Sequence, residues 1–286
     1  MNATKVRFLC SVALPVFIAA PAMAADLPVK APPMAASSPA STAQNWSGFY
    51  VGANAGADWA YSGDPSTSAS CAGAPGFVNG SYFACADIPG VNAIGTGSMS
   101  GSGFTGGMQA GYNWQFNSTV VGVEADFGAF GARASRTATG TYVTLPNQFT
   151  ISSSIDANWL FTARGRLGWA FDSNILGYVT GGLTVTHLSA ANSFSDNIPA
   201  GVGHGGGNGS GAWSASATKA GWTVGAGAEY ALNQNWSVRA EYLYVHFDAI
   251  TASGLVADST GAYGSAISTS TDLSAHIARA GVNYKF

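Results

Sequence analysis

The stretch that decides the fold comprises residues 273–286, LSAHIARAGVNYKF. One set of alternate positions is apolar and ends in two aromatic residues: Ala278, Ala280, Val282, Tyr284 and Phe286. The positions between them carry Arg279, Gly281, Asn283 and Lys285. A period of two residues indicates a β-strand whose two faces have different surroundings. The rest of the chain must show which face points inward.

The composition of the 286-residue chain favours a surface that contacts something other than water. Only 9% of its residues are charged, against about 25% in typical soluble domains. Glycine (38 residues) and aromatic residues (12%) are abundant. The net charge of −3 provides no basic surface of the kind that binds nucleic acid, so we expect no nucleic-acid partner.

The sequence divides into three segments. Residues 1–24 have the features of a secretory signal peptide, with a basic start, an apolar run at 8–20 and a small-residue cleavage site at 22–24. The apolar run is shorter than the roughly 20 residues that a membrane-spanning helix needs. Residues 25–45 are rich in Pro, Ala and Ser without periodicity, which predicts an extended periplasmic tether. Residues 46–286 form the folded segment.

The folded segment contains two cysteines, Cys71 and Cys85, in one polar region. An even number of cysteines in an exported protein favours a disulfide between them. Two free thiols in a mobile loop would give the same sequence pattern, so both interpretations stay open.

Strand-like blocks and their connections predict the fold class. Eight blocks lie at 49–61, 103–116, 119–132, 154–171, 175–189, 216–232, 236–250 and 271–286. Short turns rich in Asn and Asp alternate with long connections near 62–102, 133–153, 190–215 and 251–270. This alternation is typical of an all-β, eight-stranded antiparallel up-and-down transmembrane β-barrel, with short periplasmic turns and four long extracellular loops. Residues 46–286 are therefore predicted to be an outer-membrane β-barrel.

The charged faces of the blocks decide which side points inward. Four acidic and four basic residues share that side: Glu124, Asp126, Glu229, Glu241, Arg164, Arg166, Arg239 and Arg279. Burying these charges in a dry soluble core would cost several kcal/mol per ion before pairing. In a narrow barrel lumen, which side chains fill, they can pair with one another. We therefore predict an ion-pair network that plugs the lumen, no general diffusion channel, and an apolar face toward lipid.

Catalytic and metal-ligating signals are weak. His187 and Ser189 share one strand face, like the His-x-Ser pair of outer-membrane lipid A deacylases, but a nucleophilic pair needs an orienting acid. The next carboxylate along the chain is Asp196. His246 and His276 could face one another near the outer rim, but two histidines are too few for a typical metal site. We expect no enzymatic activity, no metal and no cofactor.

Five motifs are distributed over nearly the whole chain: residues 25–28 (ADLP), 46–52 (WSGFYVG), 106–114 (GGMQAGYNW), 181–183 (GGL) and 282–286 (VNYKF). On these motifs the chain resembles the alphaproteobacterial outer-membrane immunogenic proteins of Brucella and rhizobia. The resemblance implies a small OmpA-type barrel of the porin family, an abundant surface antigen of the cell envelope in a Gram-negative bacterium. It also implies haemin binding, as in some relatives, and linkage of the mature N-terminus to peptidoglycan at Ala25 and Asp26. Alternatively, these two residues are only a pair that signal peptidase tolerates.

The expected function is a structural, surface-exposed barrel that contributes to envelope integrity. Its expected partners are outer-membrane lipid, lipopolysaccharide and the barrel assembly machinery, with peptidoglycan and haemin implied by the resemblance. Val282, Tyr284 and Phe286 resemble the signal that the assembly machinery recognises. The alternatives are a narrow porin or a haemin- or small-solute-binding barrel, and, third, a lipid A-modifying enzyme.

Overall fold

The computed structural model describes residues 44–63, 65–172, 174–202 and 207–286. The predicted signal peptide (1–24), and with it Ala25, Asp26 and the tether up to residue 43, lies outside the described residues. The described part contains eleven strands and one helix. They are β1 (Gly48–Ser62), β2 (Ser66–Gly73), α1 (Ile88–Gly95), β3 (Met99–Phe116), β4 (Thr119–Phe130), β5 (Arg133–Thr141), β6 (Gln148–Ala157), β7 (Trp159–Ala170), β8 (Ile175–Asp196), β9 (Gly209–Ala231), β10 (Trp236–Asp258) and β11 (Gly264–Lys285).

Antiparallel ladders join strands into a closed ring. The order of hydrogen-bonded neighbours is β1, β3, β4, β7, β8, β9, β10, β11 and back to β1. β1 closes the ring because it pairs on both sides; Ala55, for example, lies opposite Gly106 of β3 and Ala280 of β11. Closure gives each strand of the ring a neighbour on both sides, which is what backbone polar groups need in hydrocarbon.

Strands extend into all four regions that the sequence predicted to be long loops. β2 lies within 62–102 and pairs with β11, and β5 and β6 form a hairpin that begins at Arg133 and ends at Ala157. β8 to β11 continue through most of 190–215 and 251–270. The predicted extent of the four loops was therefore wrong. A composition of Ser, Thr and Gly suggested loops, but whether such a segment becomes a strand depends on the partner it packs against.

The extended strands build a part of the protein here called the cap. It consists of β2, α1, β5, β6 and the ends of β8 to β11 that lie remote from the short turns. A strand of 22 residues such as β11 is about 70 Å long at roughly 3.3 Å per residue. The apolar belt of an outer-membrane barrel is only about 25 Å tall, and its strands tilt by roughly 40°. About half of the length of β8 to β11 therefore extends beyond such a belt.

Helix α1 bridges β2 and β5 in the cap. The Asn92 side-chain oxygen accepts a hydrogen bond from the Ala69 backbone N–H of β2 at 2.8 Å. From β5, Arg136 donates to the Ile94 carbonyl at 2.6 Å. The helix thereby provides acceptors for the Ala69 backbone N–H of β2 and for the Arg136 side chain of β5. In the described part of the chain, no helix is long and apolar enough to cross a membrane.

Candidate functional site in the barrel lumen

The period of two along the ring strands places eight charged side chains inside the barrel. They lie on β4 (Glu124, Asp126), β7 (Arg164, Arg166), β9 (Glu229), β10 (Arg239, Glu241) and β11 (Arg279). All eight residues are buried, and the most exposed of them, Arg279, is only 6% exposed. Four carboxylates and four guanidinium groups therefore share one enclosed space.

Arg164 lies at the centre of this network because its guanidinium group contacts three carboxylates. Its Nη2 donates to Glu124 and, at 2.8 Å, to Asp126, while its Nη1 donates to Glu241 at 3.0 Å. Glu124 lies directly opposite Arg164 on the neighbouring strand, whereas Glu241 comes from β10, elsewhere in the ring. A planar guanidinium with several fixed N–H donors suits such a shared contact.

Two further arginines complete the central network. Arg279 donates from Nε to Glu241 at 2.8 Å and from both Nη atoms to the two oxygens of Asp126 at 3.2 Å. Arg239 donates from Nη1 to Glu124. Each of the three carboxylates in this network therefore contacts at least two arginines.

Arg166 and Glu229 form a separate pair nearer the short turns. The Nη2 of Arg166 donates to Glu229, and its guanidinium carbon lies 3.8 Å from the centroid of the Tyr178 ring. Glu229 also accepts hydrogen bonds from Ser237 Oγ at 2.5 Å and Asn283 Nδ2 at 2.9 Å. This carboxylate differs from the other three because a single arginine of the described residues pairs with it.

Hydroxyl groups satisfy further acceptors of the central network. Tyr50 donates to Glu124 at 2.6 Å, and Thr162 donates to Asp126 at 2.6 Å. Neither residue is among the eight charged residues that the sequence predicted to line the lumen. The sequence did contain the signal for both, since the period of two places each on the lumen face of its strand.

A ninth charged residue in the lumen, Asp58 of β1, was missed by the sequence analysis. The residue is fully buried (0% exposed), and neither carboxylate oxygen accepts a hydrogen bond from the described residues. It lies between Gly103 of β3 and Ile277 of β11. Alternation along β1 could have found it, because Asp58 shares a face with Tyr50 and Asn54.

On the cap side of the charges, the lumen is filled largely by apolar side chains. Phe130, Leu160 and Phe247, on three different strands, belong to one buried cluster there. A second cluster, which includes Phe149, Phe194 and Trp213, forms the core of the cap. Large side chains from opposite sides of the ring thus meet in the middle.

The outward face of the ring is apolar and exposed. On β11, Val282 is 42% exposed and the adjoining Phe286 is 69% exposed, whereas Arg279 is buried. The Phe286 ring lies 5.7 Å from that of Phe49 and 5.1 Å from that of Tyr284. Val282, Tyr284 and Phe286, the residues predicted as an assembly signal, therefore lie together at the turn end of the ring.

Cys71 and Cys85 form a disulfide in the cap. The bond connects the end of β2 with the segment that precedes α1, across a sequence separation of 14 residues. Of the two arrangements that the sequence left open, the structure has the bonded one.

His187, the candidate base of a deacylase-like pair, lies outside the lumen. Its Nδ1 lies 3.4 Å from the hydroxyl of Thr218. The candidate acid, Asp196, instead accepts hydrogen bonds from Tyr82 and Tyr142 in the cap. The structure therefore does not bring the acid considered in the sequence to this histidine.

The histidines considered for metal binding take different partners. His246 Nδ1 lies 2.9 Å from the hydroxyl of Ser274, and His276 contacts the hydroxyl of Tyr242. In the described part of the chain, no three His, Cys, Asp or Glu side chains are grouped so that they could hold a metal ion.

Comparison with known proteins gives a family and named relatives. Residues 31–286 match the outer membrane protein beta-barrel domain family. Over 266 residues, 93% of each chain, the sequence is 32% identical to the 31 kDa outer-membrane immunogenic protein of Brucella melitensis, and equally to that of Brucella suis. It is 29% identical over 147 residues to the 22 kDa outer membrane protein of Rhizobium leguminosarum, covering 51% of this chain and 54% of that one.

The chain also aligns with two solved structures. Neisserial surface protein A aligns with a TM-score of 0.33 at 18% identity, over 84% of this chain and 98% of that one. OprG of Pseudomonas aeruginosa aligns with a TM-score of 0.38 at 13% identity, over 85% of this chain and 98% of that one.

Proposed function

The chain belongs to the family of outer-membrane β-barrel domains, and we propose that it acts as a structural barrel with a closed lumen. The family bears out the resemblance inferred from the sequence, and it locates the protein in the outer membrane of a Gram-negative bacterium. In this proposal the ring of β1, β3, β4, β7, β8, β9, β10 and β11 crosses the membrane as an eight-stranded barrel. The cap then projects from the cell surface.

The filling of the lumen in two layers carries this proposal. In the first layer, four carboxylates contact four guanidinium groups. In the second, Phe130, Leu160 and Phe247 are each at most 3% exposed. A solute would have to separate buried ion pairs, at a cost of several kcal/mol, and then open an apolar core packed as densely as a protein interior.

Planar-bilayer conductance tests the closed lumen. The protein is purified from the outer membrane, and heat-modifiable gel mobility verifies that it is folded before reconstitution. We expect a baseline without steady openings. Steady openings of porin size would contradict the proposal and favour the narrow-porin or solute-binding alternative.

We further propose that the N-terminus attaches the barrel to peptidoglycan. The first described residue, Gln44, donates a hydrogen bond to the carbonyl of Gln234 in a short turn, at 3.3 Å. A tether before Gln44 would therefore leave the barrel at its periplasmic end, and a Pro-rich segment extends about 3.1 Å per residue. Lysozyme digestion of sacculi should release the protein with a muropeptide on Ala25. Recovery of a free N-terminus alone would refute the attachment.

The partners proposed for the barrel follow from its outward face. The exposed apolar residues of the ring suit outer-membrane lipid, and a cap on the cell surface would be surrounded by lipopolysaccharide. Recognition by the barrel assembly machinery is proposed for Val282, Tyr284 and Phe286, which lie together at the periplasmic end.

A further inference from the structure

Described residues from four connections at the end of the cap line a cavity of about 260 Å³. Tyr82 and Phe83 come from the segment between β2 and α1, Tyr142 from the β5–β6 connection, and Tyr263 from the β10–β11 connection. Ile198, after β8, adds an aliphatic side chain. The cavity is slightly smaller than the roughly 300–1,000 Å³ of pockets for drug-sized ligands, so its occupant must be small.

The two tyrosines that line the cavity share one carboxylate behind them. Tyr142 donates its hydroxyl hydrogen to Asp196 Oδ2 at 2.5 Å, and Tyr82 donates to the same oxygen. Burial raises the pKa of both phenols, and the hydrogen bonds to Asp196 raise it further, so both rings stay neutral. A phenol that donates to a carboxylate becomes richer in electrons, which makes the face of its ring a better partner for a cation.

Two more carboxylates line the cavity directly. Asp87 accepts hydrogen bonds from the backbone N–H groups of Val143 at 2.7 Å and Thr144 at 3.0 Å. Asp258 accepts one from the backbone N–H of Tyr263 at 3.0 Å. All these donors are neutral, and the residues that line the cavity in the described part include no Lys, Arg or His.

The geometry points to a binding site for a small organic cation of the quaternary ammonium class, with Tyr82, Tyr142 and Tyr263 as its walls. The carboxylates of Asp87, Asp196 and Asp258 supply the opposite charge, and they would repel an anion. They do not converge as the ligands of a metal ion do. An apolar cation with a dispersed charge suits both the aromatic walls and the negative charge of the cavity, since aromatic rings attract it without requiring hydrogen bonds.

Choline and its uncharged carbon analogue, 3,3-dimethylbutan-1-ol, test the proposal because they have nearly the same shape. The full chain is refolded in octyl glucoside, since a phosphocholine detergent would itself supply the ligand. Calorimetric titration gives the affinities, and saturation-transfer NMR identifies the methyl groups in contact. We expect choline to bind at least tenfold more tightly than the analogue.

Two substitutions and one control locate the site. Tyr142→Leu should weaken choline binding about tenfold, because it removes an aromatic wall. Asp87→Asn keeps the shape and removes a charge, so it should weaken choline binding and leave binding of the analogue unchanged. Tyr230→Leu, on the outward face of the ring (48% exposed), should change neither.

Three results would overturn the proposal. They are equal affinity for choline and its analogue, choline binding that Asp87→Asn leaves unchanged, and the absence of saturable choline binding by the folded protein. The closed lumen does not depend on this site, so the conductance test and the choline test can fail independently.

Discussion

Replacing Arg166 with methionine leaves a buried carboxylate without a positive partner. Of the described residues, Arg166 is the arginine that pairs with Glu229, and both side chains are at most 5% exposed. After the substitution, Glu229 retains hydrogen bonds from Ser237 and Asn283, but these donors carry no charge. Methionine fills a similar volume, so the substitution tests charge more than packing.

The expected loss is about 3–5 kcal/mol of unfolding free energy, the cost of removing one member of a buried ion pair. Adding Glu229→Gln removes the stranded charge, and the amide oxygen can still accept from Ser237 and Asn283, which both donate to Glu229 Oε1. The double variant should therefore recover to within about 1–2 kcal/mol of the original protein, since replacing both members of a buried pair is often nearly neutral.

Equilibrium urea unfolding in lipid vesicles, followed by tryptophan fluorescence and by gel mobility, measures these differences. The unfolding free energy follows from the midpoint and the slope. Arg133→Met is the matched control, because Arg133 is exposed and lies opposite Asp156 on the outer face of the cap. Even where two exposed charges of opposite strands do pair, the pair contributes less than about 1 kcal/mol.

The double variant decides whether this reasoning holds. If it is as unstable as Arg166→Met alone, lost contacts, such as that with the Tyr178 ring, would explain the loss and the stranded charge would not. A loss for Arg133→Met as large as that for Arg166→Met would refute the assignment of the cost to burial.

Three further substitutions test the lipid face, the assembly signal and the disulfide. Ala280→Arg should lower the unfolding free energy in vesicles by about 2–4 kcal/mol, as for arginine near the middle of a bilayer. Ala266→Arg, on the cap part of the same strand, should lower it by less than about 1 kcal/mol. Equal losses would contradict the placement of the ring in lipid. Phe286→Ser should lower the outer-membrane yield in cells, while Phe116→Ser, at a similarly exposed phenylalanine (65% against 69%), should lower it much less. A normal yield of the Phe286→Ser variant would refute the proposed role of Phe286 as an assembly signal. Cys71→Ser removes the disulfide and should destabilise the cap by up to about 3 kcal/mol, the value for a loop of roughly 15 residues. Limited proteolysis of this variant should then cut the cap and spare the ring. A cap that resists the protease would contradict the stabilising role of the disulfide.

The pattern of alternating residues predicted the orientation of the strands because it is a local property. Within β11, neighbouring positions must point to opposite faces whatever the partner strand is. Arg279 and Val282 therefore lie on opposite faces of this strand. The same rule would have placed Asp58 inside, had it been applied to the polar positions of β1 as well as to charges on the other strands.

The cap could not be predicted in the same way. The Ser-, Thr- and Gly-rich stretches at 133–153 and 251–270 lack the strong contrast of faces that marks a strand. Each stretch pairs with itself as a hairpin. Strands from elsewhere in the chain complete the pairing, as where Ala69 of β2 lies opposite Ile267. Three carboxylates around one aromatic cavity likewise require four connections to meet, which no single stretch of sequence encodes.

The sequence by itself determined that the strands are two-faced, that their charges point inward and that their apolar face points outward. Only the tertiary structure decided which charges pair. The ladder places Arg239 directly opposite Glu229, yet Arg239 donates to Glu124, and Glu229 accepts from Arg166. Glu124 and Glu241 do contact the arginines opposite them, Arg164 and Arg279. The reason for the other two contacts is closure of the ring: in a lumen this narrow, a long side chain reaches strands beyond its neighbour.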